Sequence, residues 1–178
     1  SKLGITGFGV ELSQIYLRSN NLGSRNRFMS NVFLEHRFSI ADNKLDITPG
    51  VALTYFSDFK LRAFPGLDIG YNLTNTFKVY GNIGYTYRIP TYTDLFYNDP
   101  VTSGNEDLEP EEAFAQELGL KYTSPKFNAS VAVFNRDADN LIDFIRNDVS
   151  EDVFVATNIT EVNTKGLELD AAYNFRFK

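Results

Sequence analysis

The sequence predicts an all-β fold, an antiparallel meander of about eight strands that forms part of a transmembrane β-barrel. Three observations predict it. Apolar and polar residues alternate with a period of two over long stretches. Those stretches run near the roughly nine to eleven residues that a tilted strand needs to cross a bilayer. Tyr and Phe gather near their ends, as in Tyr55-Phe56, Tyr85 to Tyr87 and Phe175 to Phe177, which matches the aromatic belts at the two membrane interfaces. A soluble sandwich, which buries its apolar face against a second sheet, is the alternative. Its strands usually run about five or six residues, shorter than those here.

The expected strands are, in order, 5–18, 26–40, 45–57, 61–74, 77–89, 111–123, 127–146 and 152–177. In the third, Leu45, Ile47, Val51, Leu53 and Tyr55 share one face, with Asp46, Thr48, Gly50, Ala52 and Thr54 on the other. In the fourth, Leu67, Ile69, Tyr71 and Leu73 oppose Asp68, Gly70, Asn72 and Thr74. In the fifth, Phe77, Val79, Ile83, Tyr85 and Tyr87 oppose Lys78, Asn82, Thr86 and Arg88. The last sets Leu167, Leu169, Ala171, Tyr173, Phe175 and Phe177 against Glu168, Asp170, Ala172, Asn174, Arg176 and Lys178. In a barrel wall the apolar face turns outward to lipid and the polar face lines the lumen. The links at 41–44, 74–76 and 124–126 read as tight turns. They alternate with 19–25, 58–60, 90–110 and 147–151, most of them longer. Short turns face the periplasm in outer-membrane barrels and longer loops face outward, so both ends of the chain fall on the periplasmic side.

Composition agrees. Among 178 residues there are 16 Phe, 10 Tyr and no Trp, and 22% are charged. No apolar run is long enough for a transmembrane helix, so a membrane must be crossed by strands. The chain has no Cys, which removes disulfide frameworks and thiolate metal sites. A formal charge of -6, with Lys and Arg scattered, argues against nucleic-acid binding through phosphates. The opening SKLGITGFGV has neither the cationic start nor the apolar block of a signal peptide, so an exported protein would carry its leader upstream.

The long link holds the most information. Tyr85-Thr86-Tyr87-Arg88-Ile89-Pro90-Thr91-Tyr92-Thr93-Asp94-Leu95-Phe96 leads to Gly104-Asn105-Glu106-Asp107-Leu108-Glu109-Pro110-Glu111 and then to Glu117-Leu118-Gly119-Leu120. This order of aromatic strand, Arg-x-Pro, acidic-aromatic segment, Gly-Asn-x-x-Leu-x-Pro-Glu and Glu-x-Gly resembles the barrel region of TonB-dependent outer-membrane receptors. The resemblance continues through Val133-Phe134-Asn135-Arg136, Asn140-Leu141-Ile142-Asp143 and Asn158-Ile159 to Lys165-Gly166-Leu167-Glu168-Leu169. It covers residues 80–173, while 1–79 match only in strand character.

The resemblance implies a large plugged barrel of about 22 strands in the bacterial outer membrane. Residues 1–178 would then be a single incomplete barrel segment, lacking the plug and the remaining strands. The implied function is uptake of a scarce nutrient such as an iron chelate, a cobalamin or a glycan fragment, with no covalent chemistry. Implied partners are outer-membrane lipid, the plug and other strands of the parent protein, the small-molecule nutrient, and the TonB complex acting through the absent plug. Two rivals remain: a complete small eight-stranded barrel with a structural or adhesive role, with Phe177 as its terminal aromatic, and a soluble β-rich carbohydrate-binding module.

Candidate residues follow. Tyr92, Phe96 and Tyr97 are the expected outer-loop ligand contacts, because aromatic side chains hold large amphipathic molecules. Arg88 is expected on the lumen face, meeting either carboxylates of the plug or a strand neighbour. Pro90, which has no N–H to give to a ladder, should end its strand at the rim. The carboxylates Glu106, Asp107, Glu109, Glu111 and Glu112 suit calcium in chemistry but match no dedicated loop, and a solvated loop edge explains them. Asp137, Asp139, Asp143 and Asp148 raise the same idea around the last hairpin. The single His36 lacks a second His or a Cys to complete a metal site and reads as structural. No catalytic residue, metal site or cofactor is expected.

Overall fold

The computed structural model describes residues 4–146 and 152–175. Eight long strands make an antiparallel meander: β1 (Ile5–Ser19), β2 (Gly23–Ile40), β3 (Leu45–Phe56), β4 (Lys60–Asn72), β5 (Phe77–Arg88), β7 (Glu111–Thr123), β8 (Phe127–Ile145) and β9 (Phe154–Tyr173). Between β5 and β7 the chain also forms a one-turn helix α1 (Tyr92–Phe96) and a two-residue strand β6 (Thr102–Ser103). The sheet order is β1-β2-β3-β4-β5-β7-β8-β9-β6, with β6 parallel to β9 and the rest antiparallel. The all-β class and the eight expected strands stand, and β6 is the addition. The expected long link at 19–25 is only a three-residue turn, because Gly23, at φ +76°, lets the chain re-enter the sheet at once. The segment 147–151 with Asp148, and Arg176, Phe177 and Lys178, lie outside the described residues.

Register sorts the side chains into two faces. Ala52, Thr54 and Asp46 of β3 lie beside Phe33, Asn31 and Ser39 of β2 and beside Phe64, Arg62 and Gly70 of β4. This is the polar, less exposed face. On the opposite face, Val10, Leu12, Val32, Leu53, Leu61, Ile69, Ile83, Leu118, Val133, Leu167 and Leu169 are exposed. Burying such area from water is the dominant favourable term in folding, so a sheet that leaves it bare suits an apolar solvent.

Aromatic residues bracket this apolar face. At the tight-turn end stand Tyr71, Phe77, Tyr122, Phe127 and Tyr173, with ring centroids 5.0 Å apart for Phe77–Tyr122 and 6.1 Å for Tyr122–Phe127. At the other end stand Phe28, Tyr55, Tyr85 and Phe114, with Phe28–Tyr55 at 6.5 Å and Tyr85–Phe114 at 5.0 Å. Phe77 and Tyr85 share β5. Their separation is about 27 Å along the strand, or roughly 20 Å of height at a tilt near 40°, close to the apolar band of an outer-membrane barrel.

The polar face carries its own ties. Asp46 accepts from Arg37 at 3.0 Å and Ser39 at 2.7 Å, and Lys78 approaches it at 3.5 Å. Lys78 reaches it across Gly70, where a Cβ would stand 2.4 Å from the lysine Cε. The strap therefore joins β2, β3 and β5 over a position that only glycine leaves open. On the apolar face, His36 contacts Thr6 at 2.7 Å and the Phe38 ring at 4.3 Å, both on the strand pair that holds it.

Candidate functional site

The link from 89 to 110 folds into a compact structure over the end of the sheet opposite the tight turns. β5 stops at Arg88, and Pro90, fully buried, turns the chain inward. Thr91 then caps α1: its Oγ1 accepts from the Asp94 backbone N–H at 3.1 Å, and the Asp94 carboxylate accepts from the Thr91 N–H at 2.8 Å. This reciprocal pair satisfies donors that a helix start leaves free. After α1, Asp99 accepts from the Val101 and Thr102 N–H groups at 2.8 and 2.7 Å and from the Tyr97 hydroxyl at 3.0 Å. The Val101 N–H contact leads in holding its carboxyl below the usual Asp range, and the shared hydrogen bond pushes the Tyr97 phenol up. Gly104 then returns to α1, donating to the Tyr97 carbonyl at 2.6 Å. A Cβ there would stand 2.7 Å from the Leu95 carbonyl carbon and 2.8 Å from the Phe96 nitrogen.

The link, the β3–β4 turn and the adjoining ends of β8 and β9 share a small apolar core. Leu95, Leu108 and Ala156 are buried together, with Phe59 from the β3–β4 turn and Phe96, Ile142 and Phe144 packed against them. Asn158 of β9 locks the return limb. Its amide donates to the Glu109 and Asn140 carbonyls, both at 2.8 Å, and accepts from the Glu109 N–H at 2.9 Å. On β6, Thr102 and Ser103 pair with Phe154 and Val155.

On the other side the loop meets β2. Arg27 is 5% exposed. Its Nε donates to Asp58 at 2.7 Å, and both terminal nitrogens donate to the Pro90 carbonyl at 3.2 Å. The guanidinium lies 4.8 Å from the Tyr92 ring centroid and 5.3 Å from that of Phe59. Arg25, two residues earlier on the same face, sits 3.5 Å above the Phe96 ring. At the tip, the Asn21 amide donates to the Asn98 carbonyl at 2.7 Å and accepts from its N–H at 3.1 Å. Arg25 and Arg27 belong to the polar face, so the loop folds inward across the concave side.

The expected contact residues fall here. Tyr92 and Phe96 are half-buried and stand under Arg27 and Arg25, with their own rings 6.3 Å apart. Burial pushes the Tyr92 phenol up, and its hydroxyl is buried without a hydrogen-bond partner. Tyr97 is tied to Asp99. Arg88 donates to Asp94 at 3.2 Å and to Glu111 at 2.5 Å, and Glu111 also accepts from the Ile142 N–H at 2.9 Å. Glu111 is therefore not part of a solvated edge: it is 6% exposed and joins β5, β7 and β8. Among the described residues no group of His, Cys, Asp or Glu could hold a metal ion. Arg25, Arg27 and Asn21 carry no motif. The signal in the sequence is an Arg-x-Arg pair on one strand face opposite an Asp-Phe turn.

Comparisons with known proteins fit this geometry. A family model described as TonB dependent receptor-like, beta-barrel, matches residues 4–178. The vitamin B12 transporter BtuB of Photobacterium profundum is 32% identical over 109 residues, covering 60% of this chain and 18% of that protein. BtuB of Vibrio vulnificus is 26% identical over 158 residues, covering 89% and 24%. In structure, the siderophore receptor PirA of Pseudomonas aeruginosa matches with a TM-score of 0.80 at 22% identity, over 92% of this chain and 32% of that one. The hemophore receptor HasR of Serratia marcescens matches with a TM-score of 0.82 at 17% identity, over 96% and 36%. The chain thus spans about a fifth to a quarter of these curated relatives' length.

Proposed function

Because the chain belongs to the TonB-dependent receptor β-barrel family, we propose that it forms one sector of the wall of an outer-membrane receptor that imports a large metal chelate, an iron siderophore complex or a corrinoid. Residues 1–178 would be a barrel segment only, working with further strands and a plug supplied by the parent protein. Transport would be driven by the TonB complex acting on that plug, with no covalent step on this chain. The observation that carries the reading is the folded loop, which holds Tyr92 and Phe96 beneath Arg27 and Arg25 at the concave end of the sheet, above the more polar of its two faces.

In this reading Tyr92, Phe96 and Tyr97 offer π-faces and a phenol to a large amphipathic ligand, and Arg25 adds charge complementary to an anionic chelate. Arg88 works internally, holding the loop's two limbs through Asp94 and Glu111. The vitamin B12 transporters among the sequence relatives favour a corrinoid, and the siderophore receptors among the structural neighbours favour an iron chelate.

The test is uptake of radiolabelled cobalamin and of a ferric catecholate by cells depending on the full-length receptor. Phe96→Ala with Tyr92→Leu should lower uptake of one substrate at least about tenfold, while surface abundance holds. Unchanged uptake of both substrates would remove these aromatics from the ligand path.

A further inference from the structure

The apolar face carries one feature that barrel closure and ligand uptake leave unused. Between β5, β7, β8 and β9 lies an outward groove of 690 Å³ with Ile83, Leu118 and Val133 on its floor and Gln116, Asn135 and Lys165 at its outer rim. Register puts all six on the lipid-facing side: Leu118 pairs with Val133, Gln116 with Asn135, and Asn135 with Lys165. Lys165 also lies at a telling height. Tyr173 and Phe127 belong to the tight-turn girdle, and Lys165 and Asn135 stand as far above them on β9 and β8 as Tyr85 stands above Phe77 on β5. The amine therefore sits level with the outer aromatic row, where lipid headgroups begin.

Lys165 has no ion pair among the described residues. The nearby carboxylate, Asp137, is taken by two amides: Asn135 donates to it at 2.7 Å, and Asn163 donates to its other oxygen. A cation at a membrane interface calls for a counter-charge, and the groove below it is apolar and open.

We propose that this groove is a lipid site, holding one acyl chain of an outer-leaflet lipid along Ile83, Leu118 and Val133 and its anionic phosphate against the Lys165 ammonium. Gln116 and Asn135 supply donors to the remaining headgroup oxygens. The inference rests on the membrane-wall reading above.

The experiment uses the full-length receptor purified in a nonionic detergent, with dioleoylphosphatidylglycerol as the probe and dioleoylglycerol, which has the same chains and no phosphate, as the control. Native mass spectrometry counts the lipid retained. Lys165→Gln should cut the preference for the phosphorylated lipid about fivefold, and Lys165→Arg should keep it. Lys121→Gln, the same charge loss on the concave face, should leave it intact. The proposal falls if Lys165→Gln retains the preference in full, or if Lys121→Gln loses as much. It also falls if Asp137→Asn raises retention, because Lys165 would then have been held by Asp137. A receptor that never enters the membrane fraction overturns the membrane-wall reading and this inference together, whereas an inserted receptor with an indifferent Lys165 overturns only the inference.

Discussion

Arg27 has three kinds of partner at once: the Asp58 carboxylate, the Pro90 carbonyl and two aromatic rings. Its planar fork reaches one carbonyl with two nitrogens, which an ammonium cannot reproduce. Arg27→Lys should therefore loosen the loop by about 1.5–3 kcal/mol, the range for hydrogen bonds to charged groups. Amide exchange across residues 90–105 of the full-length receptor would read this as protection falling by roughly ten- to a hundredfold, with the strands unaffected. Asp99 gives a pH prediction. Its carboxyl is held below 3.8 in the folded loop, so its contribution is complete above that value and is lost as pH falls through the lower, folded value. Acid should lower the protection of the Val101 and Thr102 amides relative to their intrinsic exchange rates, while Asp99→Asn should make that protection insensitive to pH in that window. A variant that kept the acid response would assign it to another carboxylate.

At the scale of elements, the loop is built as much as the strands are. Gly104→Ala would push a methyl into the backbone of α1, and strain of this kind costs about 1–3 kcal/mol. Limited proteolysis should then cut between 97 and 106 in receptors whose barrel still resists heat in detergent. The strands were legible because one residue type per face repeats every second position: Leu167, Leu169 and Ala171 could have only one partner surface. The β1–β2 link was misjudged because Asn20, Asn21, Ser24, Arg25 and Asn26 look like loop residues, whereas Ser24 to Asn26 form a strand whose polar side faces the loop. Nothing local marks β6, whose two residues pair with a strand about fifty positions on. The helix left a trace in Thr91-x-x-Asp94, a capping pattern that the surrounding prolines and turn residues masked. The motif residues Pro90, Gly104, Leu108 and Glu111 are visible as a pattern, but their work lies in partners distant along the chain, the Arg27 guanidinium, the α1 backbone, Ala156 and the Ile142 N–H, which no local spacing marks.

For the whole molecule, the assignment of faces decides how the sheet meets its surroundings. Leu169 is 74% exposed on the apolar side, and Asp170 lines a recess on the concave side with Lys78, Tyr80 and Lys121. Leu169→Arg should reduce membrane insertion by about 2–4 kcal/mol if the residue is near the midplane, and Asp170→Arg by far less. Equal effects in an insertion assay would reverse the faces. The inward loop has one further consequence, for the order of assembly. Its contacts join Asn21 to Asn98, Arg27 to Pro90 and Asn158 to Glu109, so they span 77, 63 and 49 positions of chain. Each must wait until the strands between its ends have paired, β2 through β5 for the first two and β7 through β9 for the third, since loop closure precedes the reward of distant contacts. The outer cap is thus the last part of this sector to become protease-resistant, and its protection serves as a clock for completion of the wall beneath it.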